Sequence, residues 1–367
     1  LDFCLLSRQL SSSASYDYIV VGQGLAGSCL GLQLLKQRKR ILIIDQFDEH
    51  SATQVAAGLF NPITGRLMTK TWNADTLFPY LHEFYKDAEM LTGERFFYPL
   101  PLYRPFMSVE EQNEWMGKSA NAELTGYINT VNTSPTDPEL VKNKYGGLSL
   151  KQCGYLDTVK FTQAIRNYLL QRATLLNEVF DESTLIFKES GVEYAGFRAS
   201  RIIFCQGIGS LSGKLFSWLP IRPLKGETLT IQTDHIISTI YNRGVYVVPG
   251  IWKVGATYHA NDLTPSTTDR ARLELTEKLD ELISFPYRIL TQSWGIRPTT
   301  PDRRPIVGPH PNRPEAIIFN GLGTKGVSLA PYFSGVLAAW LENQTPINKE
   351  VDIERYKHYN YGGNFPR

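Results

Sequence analysis

The chain has 367 residues, 42% of them apolar and 20% charged, and carries a net charge of +2. That length suits about two domains with cores of their own, and the composition is that of an ordinary globular protein, not a disordered or fibrous one. The near-balanced charge gives no general electrostatic reason for a nucleic-acid partner, and with no apolar run of about 18 residues nothing is expected to span a membrane.

Residues 1–15, with the polar tract Ser11-Ser12-Ser13-Ala14-Ser15, are expected to be a disordered tail outside the fold. Tyr16-Asp17-Tyr18-Ile19-Val20-Val21 then reads as a buried strand, Ser28 to Lys36 as an apolar helix, and Arg40 to Ile44 as a second strand ending at Asp45. Small residues crowd Ser51 to Gly58; they suit either a backbone pressed against a flat ligand or an Ala-rich helical turn. Leu77, Leu81, Phe84, Tyr85, Ala88 and Leu91 share one face of a helix over 74–92. Phe96 to Met107 is aromatic and extended, Glu110 to Gly117 a short helix, and Asn129 to Pro138 a polar inserted loop. A capped helix over Val159 to Arg172 follows. Leu175-Leu176, Leu185 to Phe187 and Arg201 to Cys205 are strands, the last ending in Gln206-Gly207. Lys225 to Thr233 alternates as a half-buried strand. Val245 to Pro249 and Trp252 to Ala256 form a hairpin around Gly250, and Thr267 to Ser284 is an amphipathic helix. Ser293 to Asp302 is expected to be irregular, its shape fixed by prolines. Ile306 to Gly308 and Ala316 to Phe319 are strands, and Val327 to Leu341 is a helix.

Two glycine clusters carry the chemistry. Gly22-Gln23-Gly24-Leu25-Ala26-Gly27 stands between strand and helix, with a second strand and Asp45 at the distance of a dinucleotide fingerprint. Gly22 allows the tight turn, Gly24 the approach of a pyrophosphate, and Gly27 the close packing of helix on strand. The helix N-terminus then faces the phosphates, and the Asp45 carboxylate accepts ribose hydroxyls. Gly31, one turn on, is a packing glycine. Gly321-Leu322-Gly323-Thr324-Lys325-Gly326 repeats the spacing, but no apolar strand with a terminal acid completes a second unit, so a second nucleotide is not expected. A helix N-terminus aimed at an anion is the better use. With FAD in the first unit, it suits the flavin N1–C2=O edge, which becomes negative on reduction; Lys325 either adds a charge there or is a solvent-exposed loop lysine. The four cysteines, Cys4, Cys29, Cys153 and Cys205, form no CxxC pair, which fits a reducing, cytoplasmic setting. The six histidines show no HExxH spacing, and no metal site is expected.

With these residues in view the chain resembles the D-amino-acid oxidase family of FAD enzymes, in particular its glycine oxidase and sarcosine oxidase branch. The likeness runs from Tyr16 to Trp340. It rests on the first glycine cluster with Asp45, on Ala56-Ala57-Gly58, on Trp294-Gly295-Ile296-Arg297-Pro298-x-x-Pro301-Asp302 with Pro305-Ile306-Val307-Gly308, and on Gly321 to Pro331. It implies an α/β fold with a Rossmann-like FAD-binding domain and an inserted antiparallel-sheet substrate domain. The segments follow as 16–75, 150–215 and 298–345 for the FAD domain, 76–149 and 216–297 for the substrate domain, and 346–367 as a C-terminal tail.

The resemblance places Leu25, Ala26, Asp45 and Gln46 on the ADP half of a non-covalently held FAD. It places Thr53, Ala57, Gly58 and Leu59 along its pyrophosphate and flavin, and a backbone contact at Val179 or Phe180, of which Phe180 is taken, on its adenine. Cys205 and Gly207 are counted with the cofactor-binding residues, as are Gly321, Leu322, Gly323, Thr324, Lys325, Gly326 and Val327 over the pyrimidine edge. Arg297 matches the arginine that grips a substrate carboxylate, and its planar, permanently charged fork suits that task. Tyr246 matches a tyrosine near the substrate, and Lys253 a lysine that promotes reaction with oxygen. Thr324 stands where glycine oxidases carry a further arginine, which leaves the substrate open. The implied reaction is oxidation of the C–N bond of a small amino acid or N-substituted glycine, with oxygen or another electron acceptor. Two alternatives stand beside it. One is an oxidase acting on a carboxymethylaminomethyl group of modified tRNA, like the oxidase half of the bifunctional wobble-uridine enzyme. The other is a non-catalytic flavin-binding electron carrier. Oligomeric state is not legible.

Overall fold

The computed structural model describes residues 15–65 and 68–360. The expected tail over 1–15 lies, apart from Ser15, outside the described residues; Ser15 already begins a strand. The chain divides into two compact units, one drawn from Leu1–Asp48, Thr162–Arg222 and Pro298–Arg367, the other from Glu49–Phe161 and Pro223–Arg297.

The first unit is built on a sheet whose strands Thr174–Leu176, Ile41–Ile44, Ser15–Val21 and Phe197–Phe204 run parallel in that order. Arg313–Asn320 adds in parallel to the far half of Phe197–Phe204, and Gly191–Tyr194 pairs antiparallel with its near half. The strands read as unbroken apolar runs because both their faces are covered: Ile19, Val20, Leu42, Ile43, Ile202 and Ile203 are all 0% exposed. The helices Leu25–Lys36 and Gly326–Asn343 pack on each other, and Gly326 lies so close to Leu25 that an added Cβ would stand 2.9 Å from its Cδ2. Register brings Val21, Ile44, Phe204 and Ile318 level. The turns that follow these strands therefore emerge along one edge of the sheet, where open α/β sheets bind ligands.

The second unit is an eight-stranded sheet in the order Arg288–Thr299, Arg222–Gln232, Lys253–Gly255, Val245–Val248, Ile240–Arg243, Leu102–Pro105, Gly147–Leu150 and Ile128–Asn132. From Arg222–Gln232 onward the pairings are antiparallel except Ile240–Arg243 on Leu102–Pro105. Leu229, Ile231, Val245, Val247 and Val254 point to one face and form a core with Leu275 and Leu279 of the helix Asp269–Leu282.

Several expectations are corrected. The polar stretch from Asn129 begins as an edge strand, because Thr130, Val131 and Asn132 pair with Gly147 to Ser149. Ser293 to Thr299 is not irregular but the end of a long strand, with its first proline at Pro298, next to the strand's last residue. Residues 346–360 are not a tail: Val351 and Ile353 are 0% exposed, and Val307 N donates to Val351 O at 2.9 Å. Residues 361–367 lie outside the described residues. Residues 49–75 and 150–161, expected with the FAD segments, pack in the second unit, where Leu59–Phe60 pairs with Gly154–Leu156 and Phe60 stacks on Phe97.

Candidate active site

In the first unit the fingerprint turn is closed by its own backbone. Gly22 has φ +93°, and a Cβ there would meet Cys205 O at 2.7 Å; one on Gly27 would meet Gly22 O at 1.9 Å. Only hydrogen fits at both positions, so the helix can start at Leu25, directly against the strand end. Its N-cap, Gly24, supplies no side-chain hydrogen bond, and its first turn holds no acidic residue. The first-turn N–H groups and the positive end of the helix are what a diphosphate requires. Asp45 ends the neighbouring strand. Its Oδ1 accepts from Gln23 N at 2.7 Å and its Oδ2 from Arg166 Nη1 at 3.0 Å. A carboxylate has about four lone-pair sites, so two remain for ribose hydroxyls. Leu25, Ala26 and Gln46 flank these groups, while Val179 is exposed and Phe180 stacks on Tyr194 at 4.8 Å.

The strand-end loops beside this turn carry Cys205, Gly207 and Gly321 to Val327. Asn320 joins them: its Nδ2 donates to Gly207 O at 2.7 Å and Ser210 Oγ at 2.9 Å, and its Oδ1 accepts from Gly321 N at 2.8 Å. The second helix N-terminus, capped by Lys325 with no side-chain bond, follows. Thr324 is exposed; burial lowers the pKa of Lys325, and the Arg303 charge adds to the effect. Cys205 is buried, and burial raises its thiol pKa. These residues fit an FAD: a glycine turn whose missing side chains make room, two helix N-termini without a side-chain cap bond and an acid with acceptor sites to spare. Arg166, Gln23 and Asn320 were missed because polar side chains far apart in sequence give no local pattern.

In the second unit the sheet presents one face opposite its core. Thr228, Gly255 and Tyr246 stand level on three neighbouring strands. A Cβ on Gly255 would lie 2.8 Å from Tyr246 Oη and 2.9 Å from Thr228 Cγ2, so all three share this face. Arg297 reaches across the next strand over Gly226, where a Cβ would stand 2.2 Å from both terminal nitrogens. Its Nη1 donates to Thr257 O at 3.3 Å, and its guanidinium lies 4.9 Å from the ring centre of Tyr258. Among the described residues no carboxylate lies within 4.0 Å of it. Tyr246 is partly buried; burial pushes its hydroxyl well above the usual tyrosine value, against a smaller lowering by Arg297. The hydroxyl therefore keeps its proton and is a donor at neutral pH.

Lys253 also stands on this face, two residues from Gly255. Its Nζ donates to three carbonyls, Gln54 O at 3.2 Å, Val55 O at 3.0 Å and Ala56 O at 3.1 Å. Those bonds use all three ammonium protons. They cap the short helix Ala52–Val55, which carries Thr53, and hold the turn into Ala57, Gly58 and Leu59. Gly58 has φ +66°, and a Cβ on it would stand 1.8 Å from Leu156 O. The expected site residues thus fall in two groups, one in each unit. No group of metal-ligating side chains is present among the described residues, and no helix among them is long and apolar enough to cross a membrane.

The family model for FAD dependent oxidoreductases (DAO) matches residues 17–340. The glycine oxidase of Bacillus licheniformis is 24% identical over 371 residues, covering 93% of this chain and 96% of that protein. Two bifunctional proteins match over part of their length. ThiO/ThiG of Nostoc sp. is 23% identical over 89% of this chain, which spans about half of it, 53%. The tRNA 5-methylaminomethyl-2-thiouridine biosynthesis protein MnmC of Leptospira interrogans is 26% identical over 57% of this chain and 37% of its own length. Among solved structures, glycine oxidase from Geobacillus kaustophilus shares the fold with a TM-score of 0.74 at 21% identity, covering 91% of this chain and 96% of that one.

Proposed function

The chain belongs to the DAO family of FAD-dependent oxidoreductases, and from that premise we propose that it oxidises the C–N bond of a small amino acid or N-substituted glycine. The observation that carries this reading is the Arg297 guanidinium, laid over a glycine floor with no carboxylate partner among the described residues. A planar cation held this way binds a carboxylate through two parallel N–H···O bonds. Tyr246 donates its retained proton to the same carboxylate and fixes its orientation. FAD, which the Gly22–Gly27 turn and Asp45 would hold, would supply the oxidising chemistry as the hydride acceptor. An amine that enters neutral needs no general base, and the imine product hydrolyses in water. The chain's contribution is to hold and orient. We assign Lys253 to positioning the Ala57–Gly58 stretch, since its three donors are taken by Gln54, Val55 and Ala56. The electron acceptor is oxygen or another oxidant.

Anaerobic mixing of the FAD-loaded protein with glycine, sarcosine or D-alanine should bleach the flavin band at about 450 nm. Arg297→Met should raise KM about 10- to 100-fold, the loss of about 1.5–3 kcal/mol from a charged hydrogen-bond pair. Arg297→Lys should recover little of it, because a point charge does not replace the fork. If no carboxylated amine bleaches the flavin, the reading is wrong. The similarity to MnmC favours one second reading, an N-substituted glycine carried on tRNA. It predicts bleaching by modified tRNA and none by the free amino acids.

A further inference from the structure

Behind the Arg297 guanidinium, on the other face of the same sheet, lies a buried ion pair, whose lysine also stands 3.7 Å from Oδ1 of the part-exposed Asp262. Lys225 and Glu227 flank Gly226, and both side chains are 0% exposed. Strand alternation sends them to the face away from Arg297, the face of the Leu229 and Ile231 core. Lys225 Nζ stands 3.5 Å from Glu227 Oε1 and donates to Thr264 Oγ1 at 3.1 Å. The Glu227 carboxylate takes three more bonds. Thr268 donates through N at 2.9 Å and through Oγ1 at 2.9 Å, and Gln292 donates through Nε2 at 2.7 Å. Gln292 belongs to the strand that carries Arg297. The Glu227 backbone, in turn, holds the acceptor of Arg297. Glu227 N donates to Thr257 Oγ1 at 2.9 Å, and Thr257 N donates to Glu227 O at 3.2 Å.

A buried ion pair is a weak source of stability, because desolvation offsets most of its attraction; its best-attested use is to fix register. We propose that Lys225 and Glu227 are positioning residues for the carboxylate grip. Glu227 ties the Arg297 strand to its own strand through Gln292 and fixes Thr257 through its backbone. The guanidinium is then held at both its root and its tip. Lys225 neutralises the carboxylate that does this. The proposal rests on the reading of Arg297 as the carboxylate-binding residue.

The test is a titration of the FAD-loaded full chain with acetate and with benzoate, followed by the shift of the flavin visible band. Glu227→Gln and Gln292→Leu should each weaken binding about tenfold, one well-oriented hydrogen bond's worth. KM for the oxidised amine should rise while kcat changes far less, and the FAD content should stay that of the wild type. Adding Lys225→Met to Glu227→Gln should recover thermal stability but not carboxylate affinity, which separates positioning from mere support. Should Glu227→Gln fail to fold, Gln292→Leu decides, since it leaves the ion pair intact. Binding by Gln292→Leu within about twofold of wild type overturns the proposal. A wild-type flavin that ignores both carboxylates, or an Arg297→Met variant that binds them as well as wild type, instead overturns the reading of Arg297 and the positioning role with it.

Discussion

At Gly226 a hydrogen atom is the difference between a seated and a displaced guanidinium. A Cβ there would stand 2.2 Å from both terminal nitrogens of Arg297. The residue has no left-handed φ to demand glycine, so the requirement is purely one of space. Gly226→Ala should therefore keep the fold and its FAD yet raise KM for a carboxylated substrate about tenfold or more, in steady-state kinetics. A KM equal to wild type would show that the side chain has room to move. Arg297 was legible because it sits in a distinctive run of tryptophan, glycine and prolines. Gly226 was not, because the group it accommodates comes from another strand. Arg166 tells the same story in the first unit. It binds Asp45 Oδ2 at 3.0 Å, Gln23 Oε1 at 3.1 Å and Asn177 Oδ1 at 3.1 Å. Arg166→Leu leaves Asp45 without its cation and should weaken FAD binding by about 1.5–3 kcal/mol, read by apoprotein titration with FAD fluorescence.

Among elements, the strand–turn–helix from Ser15 to Lys36 was readable almost to the residue, since its glycines and apolar runs are neighbours in sequence. The helix begins at Leu25, three residues before the expected Ser28, because Gly24 serves as N-cap and Gly27 lets the first turn touch the strand end. Gly27→Ala would put a methyl 1.9 Å from Gly22 O. The helix must lift, at a cost of about 2–3 kcal/mol in chemical denaturation and with loss of FAD affinity. Retention of both would contradict the packing described. The Ser293–Asp302 stretch was misread for the converse reason. Its prolines suggested an irregular segment, but the first of them, Pro298, falls next to the end of the strand and interrupts no ladder behind it. Lys253 was expected to serve oxygen chemistry, and the geometry engages it with three carbonyls instead. A lysine's partners cannot be read from its neighbours in the chain.

Over the whole molecule, burial raises the hydroxyl pKa of tyrosines in both units. Tyr356 is pushed up to about 12 in the first unit, and Tyr155 and Tyr241 to about 12 in the second, with Tyr246 also raised. An unfolded tyrosine loses its proton near about pH 10. Above that pH the unfolded chain binds fewer protons than the folded one, so stability falls as pH rises from about 10 through the folded values, and it is fully present below. Denaturation midpoints measured from about pH 8 to about pH 11 should hold steady and then decline; a midpoint that stays flat to the end of the range would refute the burial of these hydroxyls.

The sequence by itself determined the nucleotide fold, and its likeness to a known family pointed to FAD and singled out Arg297. The fold is written in a short run of residues whose backbone demands are local: a tight turn, a close helix, a buried strand. Only the tertiary structure decided which chain segments make each unit, that Arg166 holds Asp45 and Asn320 ties Gly207 to Gly321, and that Gly226, Thr257 and the Lys225–Glu227 pair surround Arg297 from both sides of a sheet. Those arrangements depend on strand order and on the alternation of side chains through the sheet, which join residues that the linear chain holds far apart.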